Sequence, residues 1–239
     1  MARPTRTATV VMQEAKDWGP AASGIFNNIR TPAALIAGAT FGGIFALQPS
    51  LADTALQGAA KRIYLLIGIG TLASELVATI VATCALEKLS DEQALNRVGS
   101  YEGVKSFLRG VGLELDYVAS ETHFLFGVLG FAIMVGMRAW IAFACPAFGV
   151  AGLSTIIAAL CLMLFFINGG SSNAARPFAF LQEARLYVEL LLQQAFSKPM
   201  SPWLLGAIGA SAFTLVRVAL GLRAILMMGG CSWALRSVG

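Results

Sequence analysis

The stretch IYLLIGIGTLASELVATIVATCAL, Ile63–Leu86, decides the fold class, because its only charged side chain is Glu75, near the middle. A hydrocarbon core of about 30 Å takes roughly 20 helical residues to cross, so the stretch reads as a membrane-spanning helix. A carboxylate at that depth costs at least ~2.5 kcal/mol unless it is paired, protonated or coordinated. Something in the chain or in a bound partner must therefore satisfy Glu75.

The rest of the sequence agrees with that environment. Hydrophobic residues make up 57% of 239, charged residues 13%, and the mean hydropathy is +0.73. Soluble domains carry about 25% charge. The formal net charge is +4, but the basic residues form no single patch or arm, which argues against nucleic acid as a partner. Cys84, Cys145, Cys161 and Cys231 lie in or beside apolar segments with no CxxC spacing, and read as small apolar residues rather than metal ligands or disulfides.

Working outward from Ile63, the chain divides into four parts. Residues 1–32 are an N-terminal segment that opens MARPTRTATVVMQ, basic and without an acid before Glu14, as in an organellar transit peptide. Residues 33–170 read as a four-helix membrane domain. Its first span, Ala33 to Leu47, lies between Pro32 and Pro49 and is short enough that it must borrow turns from Ser23–Arg30 or sit where the bilayer is thin. Ala34, Gly38, Gly42 and Ala46 fall four apart on it, a small-residue face for close helix packing, chiefly within the subunit. The third span, Thr122 to Cys145, carries His123 at its start and Arg138 within it, and forms a hairpin with the fourth, Val150 to Ile167. Asn168-Gly169-Gly170 is a helix terminator.

Residues 171–200 hold an amphipathic helix, FAFLQEARLYVELLLQQAF from Phe178 to Phe196, with an apolar stripe at Leu181, Ala184, Val188, Leu191 and Ala195. Residues 201–239 contain the apolar block Trp203 to Met228, a fifth span or an oblique interfacial helix with Arg217 and Arg223 snorkelling. The expected fold is thus an all-α integral membrane protein with four to five transmembrane helices and an interfacial helix. Lys and Arg concentrate on the N-terminal segment (Arg3, Arg6, Lys16, Arg30), the loop after the second span (Lys88, Arg97, Lys105, Arg109) and the segment after the fourth (Arg176, Arg185, Lys198). The opposite loops offer Lys61 and Arg62, so the N-terminus is expected on the stromal, matrix or cytosolic side.

No enzyme motif is present. A single histidine excludes a His-based metal cluster, and GIGTLAS and GVLGFA lack the strand context and lysine of a nucleotide-binding loop. Glu75 is open to three readings: a buried ion pair with Arg138, an axial ligand to a chlorophyll magnesium, or a station on an ion pathway. His123, Gln48 and Asn168 are further possible pigment ligands. The functional expectation is a non-enzymatic accessory or structural subunit of a larger organellar membrane complex. Thylakoid is preferred, with chlorophyll and carotenoid as possible cofactors and the mitochondrial inner membrane next. Membrane lipids and other subunits are the expected partners.

Several segments resemble the Orai family of store-operated calcium channels. RTPAALIAG (Arg30 to Gly38) and FALQ (Phe45 to Gln48) are similar to the start and end of that family's pore helix. ELVATIVATCAL (Glu75 to Leu86) is similar to its second helix, with Glu75 at the place of a helix-packing histidine, and GVLGF with Trp140 and Phe143 to its third. The resemblance implies a homo-oligomer with the first helix lining a pore, an alternative reading as a cation channel or transporter subunit. The family's filter glutamate stands two residues before a glutamine, and here Ala46 occupies that place before Gln48, so a calcium-selective filter does not carry over. The light-harvesting family's pattern of glutamate, then Asn or His, then Arg is absent after Glu75, where LVATIVAT follows.

Overall fold

The computed structural model of the chain describes residues 16–50, 53–91, 98–99, 101–142, 146–170, 179–197 and 202–228. Its elements are β1 (Lys16–Asp17), α1 (Gly19–Ile44), α2 (Ala55–Ser90), β2 (Val98–Gly99), α3 (Val104–Gly110), α4 (Glu114–Ala142), α5 (Pro146–Gly170), α6 (Ala179–Ser197) and α7 (Pro202–Met228). α2, α4 and α5 are long and apolar enough to cross a membrane.

α1 runs through Pro32, so the division expected at residue 32 falls inside a helix that starts at Gly19. α2 starts at a capping box: the Thr54 hydroxyl accepts from the Gln57 amide at 3.3 Å, and the Gln57 side chain accepts from the Thr54 amide at 3.2 Å. Just before it, Lys61 meets Asp53 at 2.6 Å and holds that carboxyl below the usual carboxylate range.

α1, α2 and α4 form an antiparallel three-helix bundle whose register is fixed by close approaches. Tyr64 donates to the Gly43 carbonyl at 2.6 Å, capping an oxygen at the end of α1. Ile44 lies so near Gly68 that a Cβ there would come within 2.6 Å of it, and Met134 of α4 reaches the same glycine. Further in, Ala33 of α1 packs with Ala78 of α2. α5 returns antiparallel to α4, with Leu153 and Ile156 against Gly136 and Trp140 against Gly149, as the expected hairpin requires. α5 also ends at Gly170, the expected terminator.

The largest core lies at the end of the bundle where α1 begins and α2 ends, its inner end, with the α1–α2 connection at the opposite, outer end. Ala22 and Phe26 of α1, Ala82, Ala85 and Leu89 of α2, Phe107 and Leu108 of α3, and Tyr117 and Val118 of α4 are buried together. Leu186, Tyr187 and Leu190 of α6 close over that core. β1 pairs antiparallel with β2, and the Trp18 indole donates to the Gly99 carbonyl at 3.1 Å. The turn from α3 to α4 needs Gly112, whose φ of 76° is left-handed.

Two expectations are corrected here. Ala34, Gly38, Gly42 and Ala46 are exposed, and a Cβ added at Gly38 or Gly42 would meet nothing within 4 Å. The face of α1 that packs inside the subunit is instead Ala33, Ala37, Thr40, Gly43 and Ile44. On α6, Leu181 and Val188 of the expected stripe are exposed, Ala184 and Leu191 are half-buried and Ala195 is buried, and the packed face extends to Leu186, Tyr187 and Leu190.

The fold brings residues 16–17, the α2–α4 connection and α6 to one end of the bundle, opposite the α1–α2 connection. A cysteine at Gln48 and one at Ser106, both exposed positions, are therefore expected to react with an impermeant maleimide from opposite sides of a sealed vesicle. Labelling of both from the same side would contradict this topology.

Candidate functional site

Glu75 sits where α2 meets α4 and is completely buried. It lies against Gly127, where a single methyl group would overlap the carboxyl, while one turn away Thr71 lies against Gly130 in the same manner. The two pairs share one logic. Side chains four apart on α2 meet glycines three apart on α4, so the larger groups are housed by removing the facing Cβ atoms. The register set by Ile44 and Gly68 places Thr40 of α1 within about one helical turn of Thr71 along the bundle axis.

Both Glu75 oxygens and the hydroxyls of Thr40 and Thr71 are buried without a hydrogen-bond partner among the described residues. The Thr79 hydroxyl bonds to the Glu75 backbone carbonyl at 2.8 Å and so leaves the carboxyl unassisted. A carboxyl and a hydroxyl buried one turn apart with no counter-charge among the described residues are chemically suited to holding a proton or directing helix packing. The nearest titratable groups along the flanking helices are Tyr64 toward the start of α2 and His123, about 6 Å from Gly127 along α4.

The ion pair expected between Glu75 and Arg138 is not formed. Gly127 is the residue of α4 that faces Glu75, and Arg138 is three turns farther along, about 16 Å away at 1.5 Å per residue. Arg138 is exposed and level with Tyr64 and Gly43 at the outer end of the bundle rather than mid-span. The sequence suggested a pair because both residues lie inside apolar segments, but α4 begins at Glu114 and its axial offset from α2 moves Arg138 outward.

A magnesium macrocycle on Glu75 does not fit this packing, because the carboxyl is sealed and the facing helix leaves no room even for a methyl group. His123 is elsewhere: its Nε2 lies 3.2 Å from the Tyr187 hydroxyl, with the rings edge to face at 5.3 Å. Gln48 is exposed in the α1–α2 connection. Asn168 is in the last turn of α5, and its side chain lies outside the described residues. The candidate ligands are thus spread over the molecule. Thr71, Gly127 and Gly130, which do surround Glu75, were signalled by the Thr-x-x-x-Glu spacing on one apolar helix and the Gly-x-x-Gly spacing on another.

No protein-family model, curated protein or solved structure matches this chain.

Gly127→Ala is expected to destabilise the detergent-solubilised protein by about 1–3 kcal/mol through overpacking. Gly70→Ala, in open space, should be neutral or slightly stabilising. Glu75→Gln should leave the melting temperature nearly unchanged, since no cation depends on the carboxylate; a large loss on this substitution would restore the ion-pair reading.

Proposed function

We propose that the chain is a non-enzymatic membrane subunit that works inside a larger assembly and joins it through the outward face of α1. The observation that carries this is the unpartnered stripe Ala34, Gly38, Gly42 and Ala46, with exposed Leu35, Phe41 and Phe45 beside it. α1 has already buried its other face against α2 and α4, so the small face is free for a helix of another subunit. On this reading α1 spans the membrane with α2, α4 and α5, and α7, whose apolar part is Leu205–Gly221, lies in or along it.

Two kinds of neighbour fit. Copies of the same chain are favoured by the exposure of α1 together with the Orai-like order of segments. In such an oligomer α1 faces the axis, and Phe41 and Phe45 line it with apolar rings that keep it dry at rest. With Ala46 where that family carries its glutamate, the assembly is not a calcium-selective channel. The second neighbour is a different subunit of an organellar complex, supported by the basic N-terminal segment. In either case the N-terminal end faces the stroma, matrix or cytosol.

Cysteines at Ala34 and Gly38 are expected to cross-link to another chain in native membranes, whereas a cysteine at buried Ala37 should not. A gently purified assembly whose mass is a multiple of 25.1 kDa identifies copies, and any other mass identifies different subunits. A monomer with no cross-link at either position would remove the proposal.

A further inference from the structure

Away from Glu75, the seam between α4 and α6 contains a second set of ionisable side chains. Lys105 of α3 approaches Glu183 of α6 at 3.3 Å and lies 5.2 Å over the Tyr117 ring of α4. Glu121 of α4 is within hydrogen-bonding reach of both Glu183 and the Tyr117 hydroxyl. The Oε2 atoms of Glu121 and Glu183 are both buried and have no donor among the described residues. Ionised carboxylates only accept hydrogen bonds, and two of them side by side repel. Lys105 is two-thirds exposed, pairs directly with Glu183 and acts on Glu121 only through its charge, so among the described residues one exposed cation faces two buried carboxyls.

We propose that Glu121 and Glu183 bind one proton between them and that this proton keeps α6 seated on α4. Glu121 then donates its carboxyl O–H to Glu183, accepts from Tyr117, and leaves a single negative charge for Lys105 to balance. Loss of the proton sets two carboxylates against each other with one exposed lysine to offset them. Among the described residues, the other groups near the pair do not supply a second cation. His123 is engaged with Tyr187, and burial holds the Tyr187 hydroxyl above the ordinary phenol range. α5, which also packs on α6, has no charged residue along its length. Arg185 and Glu189 pair with each other at 2.7 Å on the exposed side of α6.

The sign follows from proton linkage. The seated form holds a proton that the released, hydrated glutamates give up at neutral pH, so seating is favoured at low pH and weakens as pH rises, by up to about tenfold per pH unit for one proton. The apolar contacts of Leu186, Tyr187 and Leu190 belong to the seated form and re-form when the proton returns, so the change is reversible.

The test uses the full chain in lipid nanodiscs with its native cysteines replaced and spin labels at Ser106 and Gln193, both exposed. Distances between the labels are measured from about pH 5 to about pH 9, a range that covers carboxyl pairs sharing a proton. The short, seated population should dominate at low pH and decline steeply as pH rises. Glu121→Gln should hold the seated population across the range, because an amide N–H donates to Glu183 at every pH. Glu183→Gln should do the same toward Glu121, and serves if the first variant does not fold. A distance distribution that ignores pH in the unmodified chain, or a glutamine variant that titrates like it, would overturn the proposal.

Discussion

Close contact between α2 and α4 is the constraint on which the bundle depends. Gly68, Gly127 and Gly130 remove side chains from the interface, and Met134, Glu75 and Thr71 occupy the space so created. Because each large group fits opposite one particular glycine, the helices cannot slide without overlap, and the whole axial register follows. That register seals Glu75, carries Arg138 to the outer end and leaves a groove in which α1 lies by its own small and β-branched residues. In a membrane, where lipid tails are as apolar as leucine, such complementarity is a stronger source of specificity than hydrophobicity itself.

The architecture divides into two regimes. Within the apolar stretch, contact is made through small residues and much of each helix remains exposed to its surroundings. At the inner end, large aromatic and aliphatic side chains such as Phe26, Phe107 and Tyr117 pack as they would in a water-soluble domain. α2, about 54 Å long at 1.5 Å per residue, exceeds a 30 Å hydrocarbon layer and joins the two regimes as one continuous rod.

Much of this was legible in the sequence, and the reasons for the rest are physical. Ile63–Leu86 declared itself by length and hydropathy, and the α4–α5 hairpin by Pro146 and the terminal glycines. Periodicity alone could not show which residue of α4 stands opposite Glu75, because axial offset is a property of two helices together. The same limit explains Arg138. On α1, two small-residue stripes run side by side, Ala33-Ala37 and Ala34-Gly38-Gly42, and composition does not tell which one is covered. On α6 the packed face includes Glu183 and Tyr187, polar residues that a hydropathy pattern assigns to water but that find partners in Glu121, Lys105 and His123.

The tie between the two ends of the inner cap has a bearing on how the chain is made. Trp18 bonds to Gly99, 81 residues farther along, and Ala22 and Phe26 pack on α3 and the start of α4. During synthesis α1 emerges long before any of these partners exists. Its early folding must therefore be directed by its own sequence, with no help from the cap. The cap closes only after α2 is complete and the first turns of α4 have left the ribosome, so the start of α1 is among the last parts of the described bundle to acquire its native contacts.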